Sequence, residues 1–157
     1  MQLTKRTPCV GICSTTYGDL VCRGCKRFAH EIVQWNGYDD VQQDAVRARL
    51  TLLRDEVLGM LLDCIDEPKL QAALAESGLT ELPRCEGQYQ LMRFMVRREQ
   101  SLEMAGLALT PEATDMSAGP SHQPVSGLNT LHAMQILDAE TYQRAKAHYE
   151  RNFKVPA

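Results

Sequence analysis

The chain has 157 residues, 44% hydrophobic and 24% charged, with a formal net charge of −3, which suits one compact domain or a small module joined to another. The acidic balance excludes bulk attraction to a polyanion, leaving only local basic faces for nucleic acid. No stretch approaches the roughly 20 apolar residues that span a bilayer, and the opening Met1-Gln2-Leu3-Thr4-Lys5-Arg6 has no apolar run behind its basic pair, so neither a membrane span nor a secretory signal is expected. A cytoplasmic protein is the expectation. In such a reducing compartment, clustered thiols are more often metal ligands or redox groups than disulfides.

Residues 1–27 are short, turn-rich and dense in Cys and Gly, as in a segment ordered by a bound ion rather than by burial. Residues 28–35 read as two helical turns with Phe28, Ile32 and Trp35 on one face, stopped by Asn36-Gly37. Asp39 or Asp40 then caps a long helix running to Cys64 or Ile65. Its inward positions are Val41, Ala45, Ala48, Leu52, Leu53, Val57, Met60, Leu61 and Cys64, recurring at threes and fours. Pro68 suits the first turn of a further helix, 69–77, which Gly78 ends. Residues 79–86 read as a loop, and 87–105 as a third strong helix carrying Tyr89, Leu91, Phe94, Met95, Leu102 and Ala105 inward.

From residue 107 to 127 the composition shifts to Pro, Ser, Gly, Thr and His, the signature of a flexible linker. Asp138 caps a last helix to Phe153, with Tyr142, Ala145, Tyr149 and Phe153 at spacings of three and four. The expected fold is therefore mainly α: a short cysteine-rich metal knuckle followed by a small helical bundle. The divisions fall at 1–38, 39–106, 107–127 and 128–157. No internal repeat, P-loop, dinucleotide fingerprint or nucleophile elbow is present in the sequence.

Cys9-Val10-Gly11-Ile12-Cys13, eight residues, then Cys22-Arg23-Gly24-Cys25 form the pattern C-x3-C-x8-C-x2-C. Two residues between cysteines let both sulfurs reach one metal while backbone N–H groups point at them, and Gly11, Gly18 and Gly24 permit sharp turns. Four thiolates around a zinc ion or an iron–sulfur core leave about two negative charges over. Arg23, Lys26, Arg27, Lys5 and Arg6 would offset that remainder and favour metal capture. Zinc prefers two similar pairs set farther apart, whereas a cluster tolerates uneven, closely spaced ligands. The spacing leaves both open. Cys64 and Cys85 each stand alone and read as small buried hydrophobes.

Thr7-Pro8-Cys9-Val10-Gly11-Ile12-Cys13, Cys22-Arg23-Gly24-Cys25-Lys26-Arg27 and Glu31-Ile32-Val33-Gln34-Trp35 resemble the bacterial domain-of-unknown-function family 1289, over about residues 7 to 50. The resemblance implies an iron–sulfur cluster held by Cys9, Cys13, Cys22 and Cys25, and no particular reaction. Trp35 has two readings, shielding a cluster or anchoring the knuckle to the helices. Glu31 likewise either accepts a hydrogen bond beside the ligand loop or is a solvated helix residue. In both cases the plainer reading is the expectation.

Arg93, Arg97 and Arg98, with Arg144, Lys146, His148, Arg151 and Lys154, form basic runs that RNA or DNA phosphates would recognise. Interleaved Glu residues favour plain solvated faces instead. Met92, Met95 and Met104 read as core. Carboxylate pairs such as Asp39-Asp40 and Asp66-Glu67 sit at helix ends, where capping accounts for them, and no catalytic constellation stands out. The expected function is a small metalloprotein with an iron–sulfur cluster in an electron-transfer, redox-sensing or accessory role. The alternative is a zinc-stabilised adaptor for a protein or nucleic acid. A site closed by four cysteines leaves no position for substrate, which argues against an enzyme.

Overall fold

A computed structural model describes residues 8, 9, 13–116 and 129–153. Among these residues the protein is mainly α, with a single two-stranded sheet. In chain order the elements are α1 (Ala29–Gln34), α2 (Asp40–Leu61), β1 (Leu62–Cys64), α3 (Glu67–Glu76), α4 (Arg84–Arg97), β2 (Leu107–Leu109), α5 (Pro111–Met116) and α6 (Asn129–Phe153). The chain divides into two compact units, residues 1–53 with 140–157, and residues 54–139. No helix of the described residues is long and apolar enough to cross a membrane.

The 54–139 unit is built on apolar burial. Val57, Leu58 and Leu61 of α2 pack with Leu70 and Leu74 of α3, Leu91, Met92 and Met95 of α4, and Ala133, Ile136 and Leu137 of α6. The Asp66 carboxylate accepts the Lys69 N–H at 3.2 Å and caps α3. That helix ends as its sequence requires. Gly78 takes φ 70°, and the N–H groups of Gly78 and Leu79 bond the carbonyls of Ala75 and Leu74.

Several sequence expectations fail in this unit. The last turn expected of the long helix is strand β1, antiparallel to β2 with Leu62 opposite Leu109 and Cys64 opposite Leu107. Cys64 is therefore exposed, its thiol donating to Glu67 at 3.1 Å, and not a buried hydrophobe. Cys85 does pack, partly buried, against the core. Residues 84–86 are helical, and the third helix stops at Arg97 because Glu99 takes φ 54°. There the Gln100 N–H bonds the Met95 carbonyl at 2.9 Å, the closure that glycine makes after α3. Leu102 and Ala105 are buried from a separate 3-10 turn, while Met104 is exposed.

The stretch 107–127 expected as a linker begins with β2 and α5; its remainder, 117–127, lies outside the described residues. The last helix starts at Asn129 rather than Asp138. Asn129 Oδ1 accepts the Leu102 N–H at 2.9 Å, and the Thr130 hydroxyl donates to the Gln100 carbonyl at 2.6 Å.

In the other unit, Asp39 caps α2 through a reciprocal pair: its carboxylate accepts the Gln42 N–H at 2.8 Å, and the Gln42 side chain accepts the Asp39 N–H at 2.9 Å. The inward stripe of α2 here is Val46 with Leu53 partly buried, not Val41, Ala45, Ala48 and Leu52, which are exposed. The apolar core is small, namely Val21, Phe28 and Ala145 with Leu53, Tyr142 and Tyr149 against them.

Candidate metal centre

Backbone pairing builds the turn that carries Cys22 and Cys25. Val21 and Phe28 face each other in an antiparallel bridge. Between them the Cys22 N–H bonds the Arg27 carbonyl at 2.9 Å, and the Lys26 N–H bonds the Cys22 carbonyl at 2.9 Å. Lys26 closes the turn at φ 65°, a conformation that costs a non-glycine residue about 1 kcal/mol. Nothing in the residue type announces it. Gly18 supplies the expected sharp turn, with φ 98° at the end of the 3-10 turn Ser14–Tyr17.

The sulfur of Cys22 is the centre of a cradle. The residue is buried, 1% exposed. Backbone N–H groups of Cys25, Ser14 and Gly24 and the side chain of Cys25 act on it to favour the thiolate. Burial alone would push this thiol up, but those four groups outweigh it and bring it down to about 7. Cys25 behaves oppositely. Burial raises its thiol, and the Arg27 side chain only partly offsets that. Ser14 also accepts the Arg23 N–H at 2.8 Å, tying the segment after Cys13 to the turn between Cys22 and Cys25.

The remaining two candidate ligands do not join this pair in a set of three among the described residues. Cys9 is exposed and Cys13 half-buried, with Cys13 Sγ 2.8 Å from Thr15 Oγ1. Among the described residues, no three His, Cys, Asp or Glu side chains lie together as a metal-holding set, and no disulfide joins the cysteines. Residues 10–12, with Gly11, and the basic Lys5 and Arg6 lie outside the described residues.

Cations and one carboxylate surround the turn. Arg27 is buried, its Nε–H donating to Cys25 Sγ at 3.3 Å, while Lys26, also buried, donates to the Gly24 carbonyl at 2.9 Å. Arg23 instead reaches Asp19 at 3.3 Å and lies 4.8 Å from the Tyr142 ring centre. Trp35 is buried beneath two guanidinium groups, Arg27 at 4.8 Å and Arg47 at 5.2 Å, so it anchors the turn to α2.

Glu31 corrects the sequence reading. It is buried rather than solvated, and its carboxylate accepts both Arg49 N–H groups at 2.6 Å and the Phe28 N–H at 2.8 Å. Burial raises this carboxyl, but Arg49 and the Phe28 N–H outweigh it and hold it below the ordinary range. Its partner lies 18 residues on, and no local pattern pairs them.

The basic runs elsewhere stay at the surface. Arg93, Arg97 and Arg98 are exposed and lean over Tyr89 and Phe94. Arg144 pairs with Glu140 at 3.0 Å, His148 stacks on Phe28 at 5.7 Å between ring centres, and Lys154 lies outside the described residues.

Neither a curated protein nor a solved structure matches the chain. Residues 7–54, the segment carrying all four candidate ligands, Glu31, Trp35 and Arg49, match the model of the family described as Protein of unknown function (DUF1289).

Proposed function

We propose that Cys9, Cys13, Cys22 and Cys25 hold one thiolate-ligated metal centre, an iron–sulfur cluster, and that the protein serves in electron transfer, redox sensing or as an accessory in a larger complex. The observation that carries this reading is the cradle around Cys22. Three backbone N–H groups aimed at one buried sulfur stabilise a thiolate rather than a thiol. A buried thiolate in turn calls for a cation, and a metal ion supplies the largest local charge. The Arg23 N–H donating to the Ser14 hydroxyl at 2.8 Å brings the chain next to Cys13 to the same turn. Completing the set requires Cys9 and Cys13 to move onto the metal, as binding coupled to folding allows. A cytoplasmic setting would keep these thiols reduced.

The Cys25 side chain lies close enough to Cys22 to lower its thiol, and the two-residue spacing lets both sulfurs reach one metal atom. Two thiolates on one tetrahedral metal sit about 3.8 Å apart. That suits a two-iron cluster, with one cysteine pair on each iron, better than a four-iron cube that spreads one cysteine to each corner. The same contact favours a second reading, a single zinc ion stabilising an adaptor whose helical part, including the exposed Arg93, Arg97 and Arg98, binds a protein or nucleic acid.

Metal, sulfide and visible-spectrum analysis of protein purified without oxygen separates these readings. Iron with equimolar sulfide and visible absorbance, lost in Cys22→Ser, supports the cluster. One zinc per chain in a colourless preparation replaces it with the adaptor. No bound metal overturns both.

A further inference from the structure

Resting on the metal reading of the four cysteines, a distinct role emerges for one side chain beside them. Arg27 is 4% exposed. Arg49, Arg54, Arg84 and Arg144 all place their guanidinium groups on carboxylates. Among the described residues, Arg27 instead has the Cys25 sulfur at 3.3 Å and the Trp35 ring at 4.8 Å as side-chain partners. A buried cation is costly unless an anion answers it. The neutral thiol of Cys25 answers it weakly; a metal-bound thiolate answers it well.

Trp35 holds that cation in place. It is itself buried, and Arg47 lies over the same ring at 5.2 Å, with a buried Nε that has no hydrogen-bond partner among the described residues. Arg47 is also held by Asp44 at 3.1 Å, whereas Arg27 is located by the indole and the Cys25 sulfur. A charge fixed in this way acts at Cys25 without rearranging when metal arrives or leaves.

We propose that Arg27, held by Trp35, is a positioning residue that offsets the thiolate charge of Cys25 in the metal-bound state and thereby slows metal loss. The experiment is release of bound metal from the purified holoprotein to an excess of chelator, in wild type, Arg27→Met, Arg27→Lys and Trp35→Phe, with Arg93→Met as control. Losing a charged hydrogen bond predicts release about tenfold faster for Arg27→Met. Arg27→Lys, which keeps the charge but not the fork, falls between it and wild type, and Trp35→Phe releases about twofold faster. The visible spectrum of the same holoprotein adds a second readout, because removing a donor from sulfur moves the sulfur-to-metal charge-transfer band. A merely structural Arg27 would leave that band in place.

A band shift with faster release supports the assignment. Unchanged release and an unmoved band in both Arg27 variants, with the wild type metal-loaded, overturn it while leaving the four-cysteine reading intact. A wild type that holds no metal overturns that reading and this assignment together.

Discussion

The unit of residues 54–139 and the unit of residues 1–53 with 140–157 are stabilised by different physics. In the former, leucine, methionine and valine side chains from α2, α3, α4 and α6 share one continuous apolar cluster, and the hydrophobic effect suffices as the main term. In the latter, Val21, Phe28 and Ala145 are the buried apolar centre. Polar groups do the rest. Arg49 lies 4.2 Å from the Phe28 ring centre and forks onto Glu31, Arg27 and Arg47 lie over Trp35, and N–H groups converge on one sulfur. A region that buries so many charges and so little hydrocarbon is stable only while each charge keeps its partner. The comparison teaches where a bound ion would matter most.

Removing the proposed metal should break the contrast most visibly. A chelator, or Cys22→Ser, should abolish hydrogen-exchange protection of amides in residues 14–34 and leave α3 and α4 protected. The effect scales with a structural site's contribution of about 10 kcal/mol. Uniform loss across both units would contradict the division of labour. Next in size is Gly106→Ala in the apolar unit. A Cβ at Gly106 would stand 2.2 Å from the Asp66 carbonyl oxygen, at a left-handed φ of 69°. We expect a cost of about 3 kcal/mol in urea unfolding, from the clash and the strained backbone together.

Glu31→Gln sharpens the comparison from the polar side. Its carboxyl is 6% exposed and its partner Arg49 29% exposed, so the loss should be about 2 kcal/mol, reduced by that partial exposure. The pH dependence has a definite sign. Because the folded-state carboxyl titrates below its ordinary value near 4.5, its contribution is complete above about that pH and is lost as pH falls through the lower folded value. Acid melting followed by circular dichroism should show this loss in wild type and not in Glu31→Gln. At the small end, Glu67→Gln removes a solvent-exposed pair with Arg84 and should leave the melting temperature unchanged within error.

Much of the apolar unit was legible because its signals are local. Asp66, Pro68 and Gly78 mark the two ends of α3 by side-chain chemistry alone. What escaped the sequence depends on distant partners or on atypical residue types. β1 and β2 are three residues each, too short for a period of two to register against a helical run. Glu99 and Lys26 adopt the left-handed turn that glycine normally marks, so neither break was visible. Asp138 resembles a cap, yet the helix already begins at Asn129, whose side chain bonds Leu102, 27 positions away.

At the candidate centre the split is similar. The x2 spacing predicts a tight turn between Cys22 and Cys25, and the Lys26 N–H on the Cys22 carbonyl closes one there. The burial of Glu31 and the seating of Arg27 on Trp35 come from α1 and α2 packing. They have no spacing rule to reveal them.

Cysteine alkylation mapped by mass spectrometry, on native protein with and without chelator, addresses convergence of the four sulfurs most directly. Cys9 is the informative residue, since its side chain is exposed and ligation would shield it. The account predicts that Cys64 reacts at once, and that Cys9 and Cys13 react only after chelation. Equal labelling of Cys9 and Cys13 under both conditions would contradict it.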